Sequence, residues 1–178
     1  MKASPDELLE RFERLVRENA ARVLATAQRV LGDADAAQDV SQEVFVAVWK
    51  AFERLDGGTN WPAYLRSAAV RRAVRELRRR KPENSAELDR LADSGTAADG
   101  ASLGELQGAL RRALARLPER QGCAFAMVKL DGLSYGECAK TMRCSEGAAR
   151  VNVHTAMRKL AKMLKDHAPQ RLNNMPPR

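Results

Sequence analysis

Residues 134–164 read SYGECAKTMRCSEGAARVNVHTAMRKLAKML, two amphipathic stretches on either side of a short polar turn. Ser134 followed three positions later by Glu137 is a capping box, in which each side chain satisfies a free backbone amide at the helix start. Leu133 stands where it can staple onto Cys138, and Gly132 breaks whatever helix comes before. The first helix runs to about Met142, Arg143-Cys144 is the turn, and Ser145 caps a longer helix. Its inward set is Ala149, Val153, Ala156, Met157 and Leu160. These are the proportions of a helix-turn-helix, whose second helix offers its first turns to the major groove while the first braces against the backbone. The candidate base readers are therefore Glu146, Arg150, Asn152 and His154. Arg150 suits guanine or phosphate and Asn152 adenine, while Arg158, Lys159 and Lys162 lie further along and suit phosphate. The plainer alternative is a helical pair with scattered polar residues and no nucleic acid.

Upstream of this pair the apolar residues again recur at helical spacing. Leu103, Leu106, Leu110, Ala113, Leu114 and Leu117 form one stripe, and Pro118 opens a further helix carrying Ala124, Phe125, Met127 and Val128. At the other end of the chain, Ser4-Pro5-Asp6-Glu7 is a second capping box, leading into a long helix with Leu8, Phe12, Leu15, Val16, Val23, Leu24, Ala27, Val30 and Leu31 inward. Gly32 stops it, and Asp33 or Asp35 starts a helix with Ala37, Val40, Val44, Phe45, Val48 and Phe52 on one face. The opposite face carries Asp39, Gln42, Glu43 and Val46, a mixture of charge, amide and aliphatic groups suited to a protein partner or to solvent. After the turn at Asp56-Gly57-Gly58-Thr59-Asn60, Trp61-Pro62 opens a third helix with Leu65, Ala68, Ala69, Ala73 and Leu77 inward. No strand pattern occurs.

Charge and composition divide the chain. Thirty-one Lys and Arg against 23 Asp and Glu give a net charge of +8, which favours a polyanionic partner. Eight of the basic residues fall between Arg66 and Lys81 (Arg66, Arg71, Arg72, Arg75, Arg78, Arg79, Arg80, Lys81), against one acid, Glu76. Arg71, Arg75 and Arg78 share a helix face, where like charges repel by a few tenths of a kcal/mol per pair unless an anion neutralises them. A solvated basic face is the competing reading, and Trp61 and Tyr64 suit either base stacking or a core. Between Lys81 and Glu105 the composition turns to Ser, Ala, Gly and Asp, with six acids and one base, Arg90, which marks a linker. The expectation is an all-α chain of two small helical domains, 5–81 and 107–165, joined by an acidic linker, 82–106, and followed by a disordered tail, 166–178.

Several classes are set aside. No stretch reaches the roughly 18 consecutive apolar residues of a membrane span, and Met1 to Glu10 lacks the apolar centre of a signal peptide, so a cytoplasmic protein with no membrane insertion is expected. Cys123, Cys138 and Cys144 are odd in number and unpatterned. A site from Cys138, Cys144 and His154 competes with thiols used as small apolar residues, and the second reading, with no metal and no cofactor, is preferred. No base, orienting acid or phosphate loop accompanies Cys144 or His154, so no enzyme is expected.

Two ordered sets of residues then carry a resemblance. The first is Val30-Leu31-Gly32-Asp33, Ala36 to Phe45, and Trp49; the second is Leu114 to Pro118, Gly132 to Ala139, and Cys144 to Gly147. Across about residues 8 to 165 the chain resembles an extracytoplasmic function (ECF) sigma factor of the sigma-70 family. The resemblance implies that 8–81 form region 2, which melts and holds the −10 promoter element, and 107–165 form region 4, which reads the −35 element. Asp39, Gln42 and Glu43 would dock on the beta-prime clamp helices of core RNA polymerase, with the beta flap as a second contact. Asn60, Trp61, Arg71, Arg72, Arg75, Arg78 and Arg79 would contact the −10 strands. Ser145, Glu146, Arg150, Asn152, His154, Arg158 and Lys159 would meet the −35 duplex. The loop 56–60 would capture a flipped −10 base, the linker would thread the polymerase cleft, and an anti-sigma factor would be a further partner. A stand-alone helix-turn-helix regulator is the alternative. The sequence departs from the family pattern at Arg71 and Arg75, where an Asn and an Asp are usual, at Thr155, where an Arg is common, and at Arg143, where Gly is frequent. A left-handed arginine there costs about 1 kcal/mol more than glycine.

Overall fold

The computed structural model describes residues 4–55, 58–80 and 103–165. Asp56, Lys81, the acidic segment 82–102 and the tail 166–178 lie outside the described residues. Every regular element among the described residues is helical: α1 (Pro5–Leu31), α2 (Ala34–Trp49), α3 (Phe52–Leu55), α4 (Trp61–Arg79), α5 (Leu103–Arg116), α6 (Glu119–Phe125), a π-helical turn (Ala126–Leu130), α7 (Tyr135–Met142) and α8 (Glu146–Met163).

Local chemistry sets the boundaries. Both capping boxes form: the Ser4 and Ser134 hydroxyls accept from Glu7 and Glu137 N–H at 3.2 Å, and the two carboxylates accept from the serine amides at 2.9 and 2.8 Å. Asp33, Asn60 and Ser145 cap α2, α4 and α8 in the same manner. Gly32 ends α1 at φ +66°. A Cβ at Gly32 would meet only the movable guanidinium end of Arg111, so it is the left-handed conformation that calls for glycine here. The α7–α8 turn is a Schellman motif: Cys144 N–H donates to Ala139 O at 3.0 Å and Arg143 N–H to Lys140 O at 3.3 Å. Arg143 sits at φ 51°, the one non-glycine residue with positive φ among the described residues.

Two expectations need correction. Residues 103–106, assigned to the linker, begin α5, because their apolar period continues the helix one turn upstream although Leu103 is 73% exposed. Leu24 and Met157, both assigned inward, are 37% and 44% exposed; on α8 the residues Ala149, Val153, Ala156 and Leu160 form the buried stripe without Met157. Beyond Phe125 the helix opened by Pro118 widens into the π turn, with Asp131 N–H reaching Ala126 O, five residues back, at 2.9 Å.

Packing joins the two halves. One core, inside the N-terminal half, gathers Leu15, Val23, Val44, Val48, Phe52, Leu65, Ala68 and Ala69. The other starts on α1, α2 and α4 with Val30, Leu31, Val40, Val70 and Val74, and continues without a break into Leu114, Phe125, Met127, Val153 and Leu160 of the C-terminal half. Helix α4 is therefore buried on two sides. Its expected face meets α1 and α2, and a second face, Ser67, Val70 and Val74, meets the C-terminal half. Each buried valine there contributes about 1.5–3 kcal/mol of burial.

Candidate nucleic-acid and partner surfaces

On α8 the exposed stripe carries Glu146, Arg150, Val151, His154 and Arg158, with Ser145 exposed at its start. Arg150 is oriented twice: Nη2 donates to Glu146 Oε1 at 2.7 Å, and its guanidinium carbon sits 4.6 Å from the centre of the Tyr135 ring on α7. The helix-turn-helix thus presents one arginine fixed by both of its helices. Asn152 is placed differently. It lies two residues from Arg150, on the flank of the buried stripe, and its amide donates back to Ala148 O at 2.8 Å. Lys159 is half-buried.

Helix α4 uses its arginines within the chain. Arg66 Nε donates to Asp131 Oδ2 at 2.7 Å and its Nη2 to the Asp131 carbonyl. Arg29 Nη1 and the Thr26 hydroxyl donate to Asp131 Oδ1 at 2.5 and 2.7 Å. The Asp131 side chain is only 2% exposed. Three donors from α1 and α4 thus close on one carboxylate presented by the C-terminal half just after the π turn. Further along the same seam, the Ser67 and Thr141 hydroxyls are 3.0 Å apart and Arg71 Nη1 donates to Thr141 O at 3.3 Å. Arg75 Nε meets Glu119 Oε1 at 2.7 Å, and Arg78 Nη1 donates to Leu117 O at 2.5 Å. Burial lowers the Arg71 guanidinium's pKa, whereas the Glu119 hydrogen bond raises that of Arg75. The face on which Arg71, Arg75 and Arg78 repel one another is compensated here by carbonyls and a carboxylate of the same chain. Arg72 lies 4.0 Å from Glu43, and Arg79 and Arg80 both hold Glu76, which lowers that carboxyl's pKa. Asp131 escaped the sequence reading. Its signal is a lone acid before a glycine, which has no periodicity.

Of the remaining −10 candidates, Asn60 caps α4 and Trp61 joins an aromatic chain through Phe12, Trp49, Phe52 and Tyr64, with ring centres 4.8–6.4 Å apart. Trp61 stays partly exposed. On α2, Asp39, Gln42, Glu43 and Val46 are all exposed. They adjoin an apolar groove lined by Leu9, Phe12, Phe45, Val46 and Trp49, with Gln42 on its rim.

Burial pushes the thiols of Cys123 and Cys138 up to about 12 and about 11, and Cys138 Sγ contacts Met142 Sδ at 3.5 Å. Among the described residues no cluster of His, Cys, Asp or Glu is arranged to hold a metal ion, and no helix is long and apolar enough to cross a membrane.

Comparison with known proteins places this geometry. Residues 15–83 match the model of Sigma-70 region 2, and residues 107–160 that of Sigma-70, region 4. The ECF RNA polymerase sigma factor SigF of Caulobacter vibrioides is 33% identical over 138 residues, covering 78% of this chain and 76% of that protein. The sigma factor RpoE of Bartonella quintana, solved with the anti-sigma factor NepR, superposes with a TM-score of 0.56 at 22% identity, covering 88% of this chain and 98% of that one. CnrH, solved with the cytosolic domain of CnrY, gives 0.58 at 24%, covering 88% and 89%. The two solved chains share the fold.

Proposed function

The chain belongs to the sigma-70 family as an ECF RNA polymerase sigma factor, and from that premise we propose how its parts divide the work of promoter recognition. Residues 5–81 act as region 2, 82–106 connect, and 107–165 act as region 4. The exposed face of α2, Asp39, Gln42 and Glu43, docks on the clamp helices of the polymerase beta-prime subunit, and the apolar groove beside it receives the aliphatic part of that partner. One observation carries this assignment: acid, amide and apolar groups lie exposed and contiguous on one face, opposite the buried Ala36, Ala37, Val40, Val44 and Val48. A surface meant only for water has no need of the exposed Leu9, Val46 and Trp49.

Region 4 reads the −35 duplex through Glu146, Arg150 and His154, with Ser145, Arg158 and Lys159 toward phosphates. Asn152, on the flank, supports the helix more than it reads bases. Region 2 meets the −10 strands through Arg71, Arg72, Arg75, Arg78 and Arg79, with Asn60 and the edge of Trp61 at the helix start. The beta flap is the second contact on core, and an anti-sigma factor, as in the complex of RpoE with NepR, is a regulatory partner. The chain works in the cytoplasm and performs no chemistry itself; the polymerase supplies the active site.

In vitro transcription with core polymerase on a promoter library is the test. Specific initiation dependent on the chain is expected, and charge reversal at Asp39 or Glu43 should abolish core binding. Unchanged affinity of Glu43→Lys for core would remove the docking assignment. Tight, specific duplex binding without polymerase, and no initiation with it, would point to a stand-alone regulator.

A further inference from the structure

Two residues of α8 serve neither its core nor its caps. Val151 is 65% exposed, against 44% for Met157, the other exposed large apolar side chain on this helix. Gly147 stands in the first turn in ordinary helical conformation, and it too is exposed. A Cβ built there would meet nothing closer than the Ser145 hydroxyl, at 4.0 Å. Neither turn geometry nor packing within the chain therefore calls for glycine, although glycine weakens a helix relative to alanine through its backbone entropy.

The two residues lie together. At 100° per residue, Gly147, Val151, His154 and Arg158 fall within about 60° of one another, opposite the buried Ala149, Val153, Ala156 and Leu160. Arg150, held by Glu146 and the Tyr135 ring, borders this face on its α7 side. The centre of the surface offered to a DNA groove is thus bare backbone beside an isopropyl group. An isopropyl group makes no hydrogen bond. Among the four bases only thymine projects an apolar group, its C5-methyl, into the major groove.

We propose that Val151 is a specificity-determining residue for the −35 element, reading the methyl group of a thymine, and that Gly147 lets α8 approach closely enough for that contact. The inference rests on the assignment of residues 107–165 to the −35 duplex and deepens it: Arg150 reads by hydrogen bonds, Val151 by apolar contact. A side chain at Gly147 would stand one turn before Val151 on the same face and hold the helix off. The surroundings favour DNA over an apolar protein surface, against which the exposed Arg150 and Arg158 would lose water without gaining phosphate.

The test titrates holoenzyme, formed with core polymerase, on a promoter selected from a library. Each thymine of its −35 element, on either strand, is replaced singly by deoxyuridine, which removes the methyl and leaves every hydrogen bond. Wild type should lose about fourfold in affinity at one such position, the worth of one methylene-sized apolar contact. Val151→Ala should bind the thymine and deoxyuridine promoters equally, with circular dichroism of the free chain showing that it folds. Gly147→Ala should raise the Tm of the free chain by about 1–4 °C and yet weaken binding of the holoenzyme to the same promoter.

Val151→Ala with the wild-type preference for thymine overturns the proposal. So does a wild type indifferent to deoxyuridine throughout the −35 element, or an element selected without thymine on either strand. Gly147→Ala with unchanged promoter affinity overturns the close approach. If Val151→Ala weakens binding to core in the absence of DNA, the residue belongs to a protein contact and the proposal falls. A wild-type chain that fails to initiate with core at any promoter overturns instead the functional reading on which the proposal rests.

Discussion

Replacing Arg143 by glycine should stabilise the chain. Arg143 occupies the C′ position of the Schellman turn at φ 51°, ψ 53°, and its side chain is exposed. A non-glycine residue in that left-handed well costs roughly 1–2 kcal/mol. Glycine removes the cost but loses about 0.5–1 kcal/mol more backbone entropy on folding. The difference leaves Arg143→Gly ahead by about 0.5–1 kcal/mol. Both turn hydrogen bonds, from Cys144 to Ala139 and from Arg143 to Lys140, involve backbone atoms alone and survive the change. In a chain of this size, with a core continuous across its halves, 1 kcal/mol moves Tm by about 2–4 °C, so a rise of about 1–4 °C is expected. Thermal unfolding followed by circular dichroism measures it. Arg143→Ala is the control, because it removes the guanidinium and keeps the Cβ. If alanine raises Tm as much as glycine, the effect belongs to charge; if glycine lowers Tm, the strain argument is wrong.

The Glu137 carboxyl is held below its ordinary pKa chiefly by the Ser134 amide and then the Ser134 hydroxyl. Its contribution is therefore complete above the unfolded pKa and is lost as pH falls through the lower folded value. Glu137→Gln should flatten the acid limb of a stability-against-pH curve, and an unchanged limb would exclude that assignment. Native chain treated with a thiol reagent at pH 8 should label Cys144 quickly and Cys123 and Cys138 slowly, because the last two are buried and their thiols remain protonated. Denaturant should make all three equivalent. Arg150→Ala should cost about 1–3 kcal/mol at one −35 base pair, whereas Lys159→Ala should weaken binding across sequences, as promoter-variant titrations of the holoenzyme would show.

The sequence made the helices and their caps legible because those signals are local. Ser4 with Glu7, Ser134 with Glu137, and Gly32 each state a boundary within four residues, and the structure keeps all of them. The helix-turn-helix was equally plain, since Ala149, Val153, Ala156 and Leu160 repeat on one face. What escaped was anything settled by residues distant in sequence. Ser67, Val70 and Val74 share α4 with the expected inward set, and nothing nearby tells that a second neighbour covers them. Asp131 reads as one more loop acid until Thr26 and Arg66, 105 and 65 residues away, are seen to bind it. Arg71 and Arg75, the two departures from the family pattern, turn out to contact Thr141 and Glu119 across the seam. Asn152 was expected among base readers because its side chain suits adenine; the rotation of 100° per residue carries it away from Arg150.

Helix α1 serves both ends of the N-terminal half. Leu9 and Phe12 line the apolar groove beside the α2 face, and Thr26 and Arg29 grip Asp131. Twenty residues of unbroken helix make a rod of roughly 30 Å between Leu9 and Arg29. Such a rod is a lever. A tilt of about 5° at the groove end sweeps the far end through about 2.6 Å over that length. The Thr26 and Arg29 bonds to Asp131 are 2.7 and 2.5 Å long, so the stroke of the lever equals the full length of the bonds it holds.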